Sequence, residues 1–142
     1  MGAIDAITNQ LILECNDSYI NAQSVCSLLL KIAKLKIEIP ITVILDNARY
    51  QHCELVKKFA AELKIELLFL PSYSPHLNII ERLWKWVKKD CLYNKYYGEF
   101  SNFKFAINKS LSKVGQPDYK EKLGSLLNLK FQSYSKSHIM TV

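Results

Sequence analysis

The stretch ITVILDNARYQHCELVKKFAAELKIELLFL, residues 41–70, holds three consecutive elements. Its first five residues are a near-continuous β-branched run, which predicts a strand buried on both faces, as in the middle of a parallel sheet. Leu55, Val56, Phe59, Ala60 and Leu63 then fall on one side of a helix, and residues 65–70 form a second apolar strand. Strand, helix, strand implies a right-handed crossover and two parallel neighbours. The fold class is α/β. Ligands in such sheets lie beyond the carboxyl ends of the strands, and Asp46 stands there.

From the same edge the chain continues as LPSYSPHLNIIERLWKWVKKDCL, residues 70–92. Pro71 and Pro75 push the residues before them into extended conformations, so this part begins as a rigid loop. Asn78 followed three residues later by Glu81 is a helix-start pattern. Ile80, Leu83, Trp84, Val87 and Cys91 share the face to be buried. The opposite face carries Arg82, Lys85, Trp86, Lys88 and Lys89, a candidate DNA-binding surface on which Trp86 is exposed by the helical count, with burial under the C-terminal helices as the open alternative.

Upstream, residues 3–7 and 11–15 read as a β-hairpin. Val25, Leu28, Leu29 and Ile32 form a helical stripe between Ile20 and Lys36. Downstream, residues 93–98 break the pattern. A helix from Phe100 to Val114 turns Phe103, Ile107, Leu111 and Val114 inward, Gly115 and Pro117 end it, and a last helix runs from about Tyr119 to Leu129.

A chain of 142 residues suits one domain, and 49% hydrophobic with 23% charged residues is an ordinary globular balance. No apolar run is long enough for a membrane span, and the N-terminus lacks a signal-peptide pattern. The four scattered cysteines and three scattered histidines argue against zinc and for reduced thiols in a cytoplasmic protein. A net charge of +6, gathered largely on one helix face, favours a polyanionic partner. Lys130, Lys136 and the Ser-rich tail offer further contacts, although residues 133–142 read as a frayed end.

Asp46 and Glu81 are thus two carboxylates on one sheet edge with 34 residues between them. Oxygen ligands of this kind suit Mg²⁺. Spacing by itself leaves a plainer reading open, in which Glu81 completes a capping box and Asp46 signals the next helix. The surrounding text is more specific. LDNARYQHC followed by LPSYSPHLNIIERLWKWVKK, with GAIDAIT, SYINAQSVC and CLYNKYY, resembles the DDE superfamily of transposase endonucleases, in its mariner-like group and bacterial insertion-sequence relatives. The resemblance runs from about Gly2 to Gln132. Ser72 and Ile79 depart from the commonest form, and neither replaces a metal ligand.

The resemblance implies a ribonuclease-H-like fold, a mixed sheet flanked by helices. It matches Asp46 to the second and Glu81 to the third acid of a catalytic triad that binds Mg²⁺ or Mn²⁺. Asn47 and Asn78 match polar positions beside those acids. The implied reaction is metal-dependent phosphoryl transfer on DNA, with transposon ends and target as partners and a further transposase chain as another candidate partner. The first acid of the family's triad sits on a central strand upstream of the hairpin, where this chain begins. Residues 1–132 therefore resemble a partial catalytic domain lacking the first central strand. Asp5 is the acid at a comparable strand position, but it lies in text that matches the second strand. Two readings stay open: a catalytic fragment for strand cleavage and transfer that is inactive by itself, and a catalytically dead remnant that binds DNA or full-length transposase as a regulator. A different ribonuclease-H-like nuclease is opposed by LPSYSPHLN. With the strand missing, the unit 41–70 and the Glu81 helix are expected to be well ordered, and the region before Ile20 the least well held.

Overall fold

The computed structural model describes residues 1–35 and 37–130; the tail beyond Gln132 falls outside these residues. Among the described residues two two-stranded sheets and five α-helices follow one another. Strands β1 (Gly2–Ile4) and β2 (Leu11–Leu13) form an antiparallel hairpin with Ala3 opposite Ile12. Strands β3 (Ile41–Leu45) and β4 (Ile65–Phe69) pair in parallel, with Ile41 opposite Ile65 and Leu45 opposite Phe69. Among the described residues no ladder joins the two sheets. The helices are α1 (Ala22–Ala33), α2 (Glu54–Glu62), α3 (Ile79–Val87), α4 (Phe100–Ser112) and α5 (Pro117–Leu126).

Helix α1 begins where Asn21 and Ser24 exchange capping hydrogen bonds, satisfying amide groups that a helix start leaves open. Its predicted stripe, Val25, Leu28, Leu29 and Ile32, is buried against Val56 and Ala60 of α2 and Ile65 of β4. A second core gathers Ile79, Leu83 and Val87 of α3 with Cys91, Leu111, Val114, Leu123 and Leu127.

The hairpin lies between these cores, and the strand's two-residue period explains how. Ile4, Leu11 and Leu13 point to the α3 core, while Ala3 and Ile12 point to the α1–α2 core. Gly2 permits the close approach: a Cβ there would stand 3.1 Å from Leu13 Cδ2 and 3.4 Å from Trp84 Cζ2. The Lys31 ammonium of α1 adds an ion pair to Glu14 at 2.7 Å and a bond to the Leu13 carbonyl. The two hairpin strands are therefore packed on both faces, although no residue before Ile20 is fully buried and Ile7 and Tyr19 stand exposed.

A correction applies to β3. Its residues alternate between covered and exposed, and Ile44 is 47% exposed. Among the described residues the strand has one neighbour, β4, and α1 and α2 cover one face. Thr42 and Glu66 are joined by a 2.9 Å hydrogen bond on the exposed side, with Leu68 of β4 51% exposed.

Two further differences lie in the C-terminal half. Helix α3 passes into a single π turn, Lys88–Leu92, before the chain leaves it. Helix α5 starts at Pro117 instead of Tyr119, as suits proline, whose missing amide hydrogen costs nothing in a first turn. The π turn carries Asp90, which accepts 2.6 Å and 2.8 Å hydrogen bonds from Lys113 Nζ and Ser110 Oγ. Burial pushes the Asp90 carboxyl up, but those two bonds and the nearby lysine charges outweigh it and hold it below the ordinary 3.8. The same bond raises Lys113 above its ordinary 10.5.

A depressed acid stabilises the fold above its unfolded value and loses that contribution as pH falls through the folded value. A raised lysine loses its contribution only as pH rises through its own folded value. The pair thus acts from about pH 4 to above pH 10. Asp90→Asn is expected to cost roughly 1 kcal/mol at pH 7. In urea unfolding that difference should shrink steadily below pH 3.8. A cost that stays constant down to pH 2 would remove the ion pair as its cause.

Candidate active site

Asp46 is the first residue after β3, where the parallel ladder closes with Leu70 N–H donating to the Leu45 carbonyl at 2.8 Å. The loops leaving β3 and β4 therefore start side by side. Between them lies an open cleft of about 390 Å³, lined by Asp46, Asn47, Ala48 and residues 71–75. Asn47 Nδ2 reaches Ser72 Oγ at 3.4 Å and ties the two loops together. Tyr73 sits at the tip with φ of 61° and its side chain wholly exposed, a backbone conformation that is uncommon outside glycine.

After a short 3₁₀ turn at Pro75–Leu77, Asn78 caps α3. The buried Asn78 side chain does two things. Its Oδ1 accepts from the Ile80 amide at 3.3 Å, and its Nδ2 donates to Asp46 Oδ1 at 2.9 Å. Glu81 occupies the first turn of the same helix. One amide side chain thus links Asp46 to the turn that carries Glu81.

This arrangement departs from the plainer reading of both acids. Helix α2 starts at Cys53, without a side-chain cap from Asp46. In α3 the cap bond comes from Asn78, and no reciprocal bond from Glu81 completes a capping box. Asp46 Oδ1 is taken by Asn78, which leaves Oδ2 and the half-buried Glu81 carboxylate as open oxygen donors. Hard oxygens of this kind fit a small divalent cation such as Mg²⁺. Among the described residues no cluster of three or more His, Cys, Asp or Glu gathers. Asp5 is engaged in its own turn, where Oδ1 accepts from the Ile7 and Thr8 amides at 2.7 Å and 2.9 Å. Those bonds, the Thr8 amide foremost, lower its pKa against the opposing effect of burial.

The basic face of α3 is narrower than the helical count implied. Lys85, Lys88 and Lys89 are exposed. Arg82 bends towards the end of α5 and donates to the carbonyls of Leu126, Asn128 and Lys130. Trp86 is half-buried, edge-on to Tyr119 with ring centroids 6.2 Å apart. Arg82 and Trp86 line a shallow cleft against α5, so of the two placements open for Trp86 the structure shows the one packed against the C-terminal helices. A helical count has no knowledge of α5. Ser72 and Tyr73, which line the main cleft, were not among the expected site residues; the polar SYS between two prolines was the available signal.

A family model described as DDE superfamily endonuclease matches residues 1–104. The chain is also similar in structure to the catalytic domain of Mos1 mariner transposase. That match has a TM-score of 0.55 at 16% identity, covering 87% of this chain and 70% of that one. The likeness establishes a ribonuclease-H-like fold. No curated protein matches the chain. Among the described residues no helix is long and apolar enough to cross a membrane.

Proposed function

Because the chain belongs to the DDE superfamily endonucleases, we propose that it contributes Asp46 and Glu81, the second and third acids of a DDE triad, to DNA cleavage and strand transfer in transposition. The observation that carries this reading is the 2.9 Å bond from Asn78 to Asp46. It fixes one acid by the helix turn that holds the other, and it leaves oxygens of both free. Residues 1–132 are then part of a transposase catalytic domain working in the cytoplasm. Its DNA partners are transposon ends and target, and another transposase chain is a further candidate.

Asp46 Oδ2 and the Glu81 carboxylate would hold the divalent ion. When bound, Mg²⁺ or Mn²⁺ supplies Lewis-acid charge to the scissile phosphodiester and to the attacking oxygen. Asn78 keeps the Asp46 carboxylate from rotating, and Asn47 keeps the two loops at a fixed opening. The start of α3 turns its positive dipole end towards an anionic phosphate. Lys85, Lys88 and Lys89, on the exposed side of the same helix, hold the backbone of the flanking DNA.

Calorimetric titration with Mn²⁺ tests this. The native chain should take up the ion, and Asp46→Ala and Glu81→Ala should each weaken it about tenfold or more. Unchanged affinity in either variant would remove that residue from the site. With no third carboxylate beside these two among the described residues, the 142-residue chain is expected to bind duplex DNA without nicking it. Nicking that vanishes in both variants would overturn the expected inactivity. That same shortage of acids favours, as the second reading, a regulator that occupies DNA or full-length transposase without cutting. Suppressed transposition on co-expression with an intact relative is its distinguishing result.

DNA binding itself should be sequence-independent and strongly salt-dependent. With about four to six phosphates neutralised, log affinity falls against log salt with a slope near −4 to −5. Replacing Lys85, Lys88 and Lys89 together by alanine should flatten the slope by about 2 to 3. A slope unchanged in that triple variant would put the DNA on another surface.

A further inference from the structure

Helices α3 and α5 are tied together at two points, and between the ties they leave a basic cleft. At one tie Arg82 donates to the carbonyls of Leu126, Asn128 and Lys130, where a helix end gathers partial negative charge. At the other, one turn further along α3, Trp86 meets Tyr119 of α5 edge-on. The Lys113 ammonium lies 5.5 Å from the centre of the same Tyr119 ring and steadies it. The opening measures about 560 Å³, and Lys122, Ser125 and Lys130 line it with Arg82 and Trp86.

The charge in this cleft is uncompensated. Lys122 and Lys130 are exposed. Ion pairs among the described residues engage Lys31, Lys57, Lys104 and Lys113, and neither cleft lysine is in one. Among the described residues no carboxylate lines the opening, since Asp118 and Glu121, the acids of α5, stay outside it. On the α3 side the exposed Lys85 adjoins Trp86, and Lys89 follows three residues later, beside it on the helix surface. Neither of these is in an ion pair either. Cations without partners thus border a half-buried indole on both helices.

We propose that this cleft seats the sugar–phosphate backbone of one strand of duplex DNA, with α5 as the second wall of the interface that the α3 lysines begin. The inference rests on the DNA-cleavage reading above and assigns Lys122 and Lys130 to the surface that holds the substrate. Ammonium groups that face no carboxylate attract a row of phosphates, and each phosphate they neutralise releases a counterion. The open part of the Trp86 ring gives the sugar between two phosphates an apolar surface to rest on. A second copy set symmetrically into the cleft would bring unpaired cations against unpaired cations. The two ties hold the helices apart before any ligand arrives, so little ordering cost opposes binding. Arg82 follows Glu81 directly, so DNA in the cleft lies along the helix that carries the acid.

Salt titration of a labelled 20-base-pair duplex against the full chain, followed by fluorescence anisotropy, tests this. Lys122→Ala with Lys130→Ala should flatten the plot of log affinity against log salt by about 2, one counterion for each lysine. Lys34→Ala with Lys58→Ala removes the same charge from exposed positions at the end of α1 and on α2, and should leave the slope within about 0.5. DNA should also quench the emission of Trp86, and the change should be lost in Trp86→Phe, which retains Trp84. A slope unchanged in the Lys122 and Lys130 variant, or flattened equally in the Lys34 and Lys58 variant, would overturn the inference. So would a quench that survives in Trp86→Phe. Native emission that DNA leaves unaltered would overturn it too, and is the result expected if another segment or a protein partner fills the cleft. In all these cases the DNA-cleavage reading stands while the native chain still binds the duplex. Failure of the native chain to bind it would remove both.

Discussion

Asn78→Ala is expected to damage the site and the fold together. The asparagine caps α3 through Oδ1 and positions Asp46 through Nδ2, so alanine removes both. Loss of the cap costs about 1–2 kcal/mol. Loss of the Asp46 bond frees a carboxylate to rotate, and groups that orient a metal ligand are worth about 10–100-fold in affinity. Divalent-ion affinity should therefore fall at least tenfold. Asn78→Asp separates the two roles. Aspartate is as good a helix cap as asparagine, but it has no amide hydrogen to donate and sets a second negative charge beside Asp46. Asn78→Asp should therefore keep the cap but still lose divalent-ion affinity, and repulsion between the two carboxylates should lower its thermal stability at neutral pH. Native ion affinity in Asn78→Ala would mean that Asp46 needs no support, and the proposed role of Asn78 would fall.

The largest effect on stability is expected from Leu83→Ala. Leu83 is fully enclosed at 0% exposure in the α3 core. Truncating such a side chain removes its burial energy and leaves a cavity, typically 2–5 kcal/mol in total. Against the roughly 5–15 kcal/mol of a whole domain, about 3 kcal/mol is a large share. It corresponds to a fall in melting temperature on the order of 10 °C. Lys85→Ala, two residues along on the exposed face, should stay within about 0.5 kcal/mol. A loss at Leu83 of less than about 1 kcal/mol in urea unfolding would contradict the packing of α3 described above.

How much of this was legible in the sequence depends on the range over which each feature is determined. The stripe Val25, Leu28, Leu29, Ile32 needed only a helical period, and all four are buried. Asn78 was readable as a cap because capping is settled within one turn. The run Ile41–Leu45 was correctly a parallel strand, but its burial was overread. A β-branched run reports strand propensity, not how many faces have partners, and Ile44 faces outward. The placement of Trp86 stayed open for the same reason, since Tyr119 stands 33 residues further along the chain. The π turn at Lys88–Leu92 had no local signature at all. The acids and the asparagines beside them came from the family text. Composition and periodicity left them ambiguous, because an acid in a first turn caps helices far more often than it binds metal.

The hairpin's position between two cores has a thermodynamic consequence. Asp46 follows β3, which packs with α1, α2 and β4, and Glu81 stands on α3, whose buried face joins the core of α4 and α5. The six paired strand residues of the hairpin pack on both cores, and the Asn78 bond also joins Asp46 to the start of α3. A ligand that bridges both acids is therefore also a fastener between the halves. By mass action it favours whichever docking brings the acids together, and every interaction that aligns the halves tightens the ligand in return. Ligand affinity in such a molecule is then an equilibrium property of the joint, which a substitution at Gly2, in the hairpin, is able to shift.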